Sequence, residues 1–235
     1  MRLLLLSNSR TPNGEYLPQA IAPARAMFAG RRRAVFVPYA GVTIDWDTYT
    51  QTVADALAPL AWDLVGLHTQ HDPVAAVAQA EIIVVGGGNT FQLLKNCRAQ
   101  GLLGPIAERV RSGAAGYMGW SAGANLACPT ICSTNDMPIV DPGGFDALGL
   151  LPFQINPHYN NALPAGHQGE TRNQRLAELL RARPDMRVIG LPEGDWLEVD
   201  TTGQIRLAGA FAAPWFTAGQ QPLDCLPGQS LPPSV

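Results

Sequence analysis

A single lysine, Lys95, stands among 16 cationic and 19 acidic side chains, so the 235-residue sequence carries a net charge of −3. That balance argues against a nucleic-acid partner or an anionic membrane surface. The one basic run, Arg31-Arg32-Arg33, precedes an apolar segment and reads as a solvated flank. No apolar stretch approaches the roughly 20 residues that a membrane-spanning helix needs. The opening run Leu3–Leu6 is too short for the core of a signal peptide and reads as a buried strand. Cysteine is scarce. Cys97, Cys128, Cys132 and Cys225 lack the paired CxxC spacing of a zinc site, so the expectation is no metal and free thiols in a reducing cytoplasm. With four histidines in the chain, each can be weighed singly.

What is present is a rhythm. Short apolar runs (Leu3–Leu6, Ala34–Pro38, Leu64–Leu67, Ile82–Val85, Tyr117–Trp120, Phe153–Ile155, Val188–Leu191) alternate with amphipathic, helix-like segments. Continuously apolar strands between helices predict a mostly parallel, doubly wound α/β sheet covered on both faces. Trp196–Val199 and Gln204–Leu207, joined through Gly203, predict a C-terminal β-hairpin. The tail from Gln220 holds four prolines and reads as a wrapped or loose end. With 46% apolar and 15% charged residues, and no repeat or linker, residues 1–235 are expected to form one domain.

Ligands of open parallel sheets sit at the carboxyl ends of strands. The polar residues there are Ser7-Asn8-Ser9, Gly86-Gly87-Gly88-Asn89, Ser121, Asn156-Pro157-His158 and Pro192-Glu193-Gly194. Gly119-Trp120-Ser121-Ala122-Gly123 matches G-x-S-x-G, which presents a nucleophilic serine on a strained strand-to-helix turn. The three glycines at 86–88 expose backbone N–H groups suited to an oxyanion, and the pattern is not that of a nucleotide-binding loop. His68 and His71 read as a loop before a helix capped by Asp72, and His167 as part of a polar loop. His158, directly after a strand and a proline, is the candidate general base. Asp136 and Glu193 compete to orient it; chain order does not decide between them, placement at a strand end favours Glu193, and the loop of Asp136 fits either the triad or a substrate contact.

The segments 86–94 (GGGNTFQLL), 119–125 (GWSAGAN), 134–140 (TNDMPIV), 155–159 (INPHY), 166–172 (GHQGETR) and 191–194 (LPEG) together resemble the peptidase E family of aspartyl dipeptidases, serine peptidase family S51. The motifs are collinear and span nearly the whole chain; residues 12–30 and the tail resemble the family least. The resemblance implies a flavodoxin-like fold related to class I glutamine amidotransferases, no cofactor or metal, and removal of N-terminal aspartate from Asp-Xaa dipeptides. It implies Ser121 as nucleophile and His158 as base, with Glu193 or Asp136 as third member.

The backbone N–H groups of Gly88 and Ala122 are expected to hold the oxyanion, and Asn89 and Arg172 to contact substrate. Arg172 opens a helix, where a cation is unfavourable, which suggests a role beyond helix stability. The carboxylate outside the triad is expected near the substrate's α-ammonium. A small peptide substrate, a cytoplasmic location and a homodimer complete the reading. A cyanophycinase-like or esterase-type hydrolase, and a non-catalytic flavodoxin-like binding protein, are the alternatives.

Overall fold

A computed structural model describes residues 1–163, 165–166 and 168–232; His167 lies outside the described residues. In chain order the first elements are β1 (Arg2–Leu6), α1 (Pro18–Met27), β2 (Arg33–Val37), α2 (Trp46–Leu57), β3 (Asp63–Gly66), α3 (Pro73–Gln79), β4 (Ile82–Val85), α4 (Thr90–Ala99), α5 (Leu103–Arg111), β5 (Gly116–Trp120) and α6 (Ala122–Leu126). Then follow β6 (Gln154–Asn156), α7 (Arg172–Ala182), β7 (Arg187–Gly190), β8 (Trp196–Val199), β9 (Ile205–Ala208), β10 (Ala213–Thr217) and β11 (Leu223–Cys225).

The main sheet has seven strands in the order β3-β2-β4-β5-β1-β8-β9, and its first five are parallel. Side chains of a strand alternate between faces. Leu3 and Leu5 therefore join one core cluster while Leu4 and Leu6 join the other. Ile83 and Val85 separate from Ile82 and Val84 in the same way. Both faces are covered, which is why these strands read as unbroken apolar runs. On one of the two faces α2 is started by Asp45, whose carboxylate accepts from Thr48 N–H, and buries Tyr49, Val53 and Leu57 at helical spacing.

The hairpin closes the sheet as expected: β8 runs antiparallel to β1 and β9 antiparallel to β8. The turn rests on Asp200, which accepts from Thr202 and Gln204 N–H, and on Gly203 at φ 85°.

The runs around residues 154 and 188 do not join the main sheet. They become β6 and β7 of a second, four-stranded sheet in the order β11-β10-β7-β6. Its partner strand β10 contains Pro214, which obscures it in the sequence, and the proline-rich tail supplies the edge strand β11. Ile155, Ile189 and Trp215 of this sheet share the core cluster of Leu3 and Leu5, so one continuous core joins the two sheets.

Register sets the heights of the loops. Leu5 and Val85 both pair with Gly119, so Ser7, Gly87 and Ser121 leave three adjacent strands at the same level. Among the described residues no helix is long and apolar enough to cross a membrane.

Candidate active site

Ser121 links β5 to α6 with φ 51° and ψ −114°, a conformation that residues other than glycine rarely adopt. The flanking glycines make the turn feasible. A Cβ on Gly119 would stand 2.6 Å from Gly123 O, and one on Gly123 would collide with Val85 O. The short helix α6 therefore lies directly on β5 and β4, held also by the bond from the Tyr117 hydroxyl to Gly123 O (2.7 Å). The Ser121 hydroxyl is left at the rim, partly exposed.

His158 Nε2 lies 2.9 Å from Ser121 Oγ, and its Nδ1 lies 2.6 Å from Glu193 Oε1. Glu193 is the carboxylate on the imidazole. Asp136 is elsewhere: its Oδ2 accepts from Thr90 N–H (2.7 Å), Thr90 Oγ1 (2.5 Å) and Thr134 Oγ1 (3.1 Å), which places it at the start of α4. Its Oδ1 makes no hydrogen bond among the described residues.

The end of β1 holds all three members of the array together. Leu6 O accepts from Ser121 N–H, and the fully buried Ser7 hydroxyl accepts from His158 N–H (2.8 Å) while donating to Leu191 O (2.8 Å). Asn8 Oδ1 accepts from Gly194 N–H (2.8 Å), next to Glu193. The sequence marked Ser7-Asn8-Ser9 only as polar residues after a strand; the partners of Ser7 and Asn8 on the histidine and glutamate loops lie more than 150 residues away, beyond the reach of any local pattern. His158 itself sits at φ 52°, so its backbone needs such anchoring. Ser7→Ala would leave the His158 N–H without its acceptor and take from Leu191 O one of its two donors, the other being Tyr159 N–H. It is expected to cost about 1–3 kcal/mol of stability in urea unfolding. A midpoint equal to wild type would mean that solvent replaces the hydroxyl.

Gly87 packs against the serine, since a Cβ there would approach Ser121 Cβ to 3.1 Å. Gly88 has φ 132° and no room for a side chain against Ala40 O. Its N–H makes no backbone hydrogen bond among the described residues, and Ala122 N–H, at the first position of α6, has no intrahelical acceptor. Asn89 caps α4: its Oδ1 accepts from Gln92 N–H (3.0 Å) and its Nδ2 donates to Met137 O (2.9 Å). Both ends of this amide are thus engaged, one in capping the helix and the other in holding the loop that carries Asp136.

Arg172 begins α7 behind a capping box of Thr171 and Gln174. Its guanidinium donates to Asn135 Oδ1, and Asn135 in turn donates to Pro157 O (2.7 Å), beside His158. Among the described residues no carboxylate lies within ion-pairing distance of Arg172; neither Glu170 nor Glu178 neutralises it. Burial, with a smaller contribution from Arg175, lowers its pKa from the usual arginine value. The result is a half-buried, unpaired cation near the serine-histidine pair. His68 lies outside the site, bonded to Asp47 at 2.9 Å, and Asp72 caps α3 through Ala75 N–H. All four cysteines are free, and burial pushes the Cys97 and Cys128 thiols up to about 12. Among the described residues no three potential metal-ligating side chains converge.

Asp195, two residues beyond Glu193, is 1% exposed. Its Oδ1 accepts from Ala210 and Phe211 N–H, while Oδ2 has no partner. Burial raises its pKa, against the opposing effect of those two N–H groups. A raised carboxyl pKa favours the folded state below the unfolded value of about 4 and loses that contribution as pH rises through the folded pKa. Wild type is therefore expected to lose stability relative to Asp195→Asn as pH increases over this window. A pH-independent difference in unfolding free energy would contradict the assignment.

The sequence profile of Peptidase family S51 matches residues 3–207. Peptidase E of Salmonella newport is 58% identical over 221 residues, covering 94% of this chain and 96% of that protein. Peptidase E of Citrobacter koseri shows the same identity and coverage. Among solved structures, a peptidase from an acI-B1 Actinobacterium superposes with a TM-score of 0.71 at 18% identity, covering 98% of this chain and 96% of its own.

Proposed function

The chain belongs to peptidase family S51, and from that premise we propose that it is a serine dipeptidase releasing N-terminal aspartate from Asp-Xaa dipeptides. The observation that carries the reading is the continuous array Ser121 Oγ, His158 Nε2, His158 Nδ1 and Glu193 Oε1, on a serine held at positive φ. For His158 to act as base, Nε2 is unprotonated and Nδ1–H donates to Glu193. Ser121 Oγ attacks the aspartyl carbonyl while its proton passes to Nε2. The N–H groups of Gly88 and Ala122 receive the oxyanion. Nε2–H then protonates the leaving nitrogen, the C–N bond breaks, and an aspartyl ester remains on Ser121. Water, deprotonated by the same nitrogen, hydrolyses that ester and restores the enzyme.

Aspartate selection rests on Arg172, a half-buried cation that no carboxylate pairs with among the described residues. Asp136, with one oxygen fixed by Thr90 and the other unbonded, is the acceptor for the substrate's ammonium. Four unpaired cysteines suit work on free dipeptides in the cytoplasm. A homodimer belongs to the same reading and is checked by light scattering.

The function is tested with purified protein on Asp-Leu, Ala-Leu and N-acetyl-Asp-Leu. Cleavage of the first alone is expected; equal cleavage of Ala-Leu, or none of Asp-Leu, would end the reading. Exchanging the two carboxylates separates their roles. Glu193→Gln should mainly depress kcat, because it removes the charge that stabilises the imidazolium. Asp136→Asn retains an acceptor for Thr90 but loses its charge, and should mainly raise KM for Asp-Leu. Steady-state kinetics that reverse this pattern would interchange the assignments.

A further inference from the structure

An Asp-Xaa dipeptide carries two carboxylates and one ammonium, and the dipeptidase reading above accounts for only one of the carboxylates. The second belongs to the leaving residue. Its position follows from the chemistry of the general acid. His158 Nε2 must reach the leaving nitrogen, so the leaving residue lies on the histidine's side of Ser121. A cavity of about 540 Å³ opens there, lined by His158, Glu193, Gly194, Phe211, Asn8 and Arg10 among others. Glu193 repels a carboxylate, so an anion in this cavity needs a cation away from it. Among the described residues Arg10 is the only arginine or lysine on its wall.

Arg10 also lines a second cavity, of about 440 Å³, with Tyr16, Tyr49, Gly87 and Gly88. It therefore stands where the space beside the imidazole meets the space beside the glycine turn. Its guanidinium is held but not neutralised. Nη1 donates to Gly14 O (2.9 Å), and Cζ lies 5.2 Å from the centre of the Tyr16 ring. Asn8, which ties down the Glu193 loop through Gly194 N–H, also donates to Arg10 O (2.6 Å). Among the described residues no carboxylate pairs with Arg10. An arginine prepared in this way, with donors unused, suits a carboxylate. The exposed ring of Phe211 offers an apolar wall for the leaving side chain.

We propose that Arg10 binds the free C-terminal carboxylate of the leaving residue, so that the enzyme favours dipeptides with an unblocked C-terminus and an apolar second residue. The proposal rests on the dipeptidase reading. Its test compares Asp-Leu with Asp-Leu amide, which lacks only the terminal charge, on wild type, Arg10→Ala and Arg10→Lys. Wild type is expected to prefer the free acid. Arg10→Ala should lower kcat/KM for Asp-Leu about tenfold or more, chiefly through KM, and leave the amide within about twofold. Arg10→Lys should restore part of the loss. The amide serves as the folding control for each variant. An equal loss on both substrates would make Arg10 a support for the loop over Tyr16, and no loss on either would place the carboxylate elsewhere; each overturns the proposal. Failure of wild type to cleave either substrate would instead overturn the dipeptidase reading on which it stands.

Discussion

Replacing Ser121 with alanine is expected to lower kcat for Asp-Leu by about four to six powers of ten, the scale seen when a triad nucleophile is removed. The fold should survive, because Ala keeps the Cβ and the backbone bond from residue 121 N–H to Leu6 O. His158→Ala should fall by a similar factor, and the double variant hardly further. In the proposed mechanism the serine and imidazole act as one unit across their 2.9 Å contact, so removing either forfeits the proton transfer. A fluorophosphonate should label wild type at Ser121 and leave Ser121→Ala unlabelled. Near wild-type turnover in Ser121→Ala would end the serine mechanism, and additive losses in the double variant would separate the two residues.

The second large effect is expected at Arg172. A carboxylate entering a half-buried position needs a partner for its charge, and the planar guanidinium matches it. Arg172 is engaged by the neutral Asn135 and by no acid among the described residues, so its charge is available. Arg172→Ala should then cost about 2–5 kcal/mol in kcat/KM for Asp-Leu, the range for truncating one side of a buried charge pair. Ala-Leu and Asn-Leu, where their cleavage is measurable, should lose much less. Arg172→Lys should recover only part, because a point charge lacks the fork. An equal loss on all three substrates would make the residue structural, through Asn135 and the loop of His158.

Much of this arrangement could be read from residues close together in the chain. The apolar runs at 3–6, 82–85 and 117–120 announce strands buried on two faces, because period-two alternation vanishes when both faces are covered. Gly119 and Gly123 announce a close approach of helix to strand, and the structure shows the backbone oxygens that a Cβ would meet. Gly203 announces the hairpin turn. Asn89, placed by sequence among the substrate contacts, has an equally local explanation as a helix cap three residues before Gln92.

By itself, then, the sequence determined the strands and helices of the main sheet, the serine turn, and the short set of polar residues at strand ends. Those features depend on backbone sterics and burial within a few residues. The tertiary structure decided which of two carboxylates meets His158, how β6 and β7 leave the main sheet for a second one, and that Ser7 and Asn8 fasten the histidine and glutamate loops. The choice of carboxylate and the fastening of the two loops depend on contacts of 2.6–2.8 Å between residues 35 to 186 positions apart. A hydrogen bond fails over a displacement of less than an ångström, so the composition of two distant loops does not specify it until the sheet between them has set their separation.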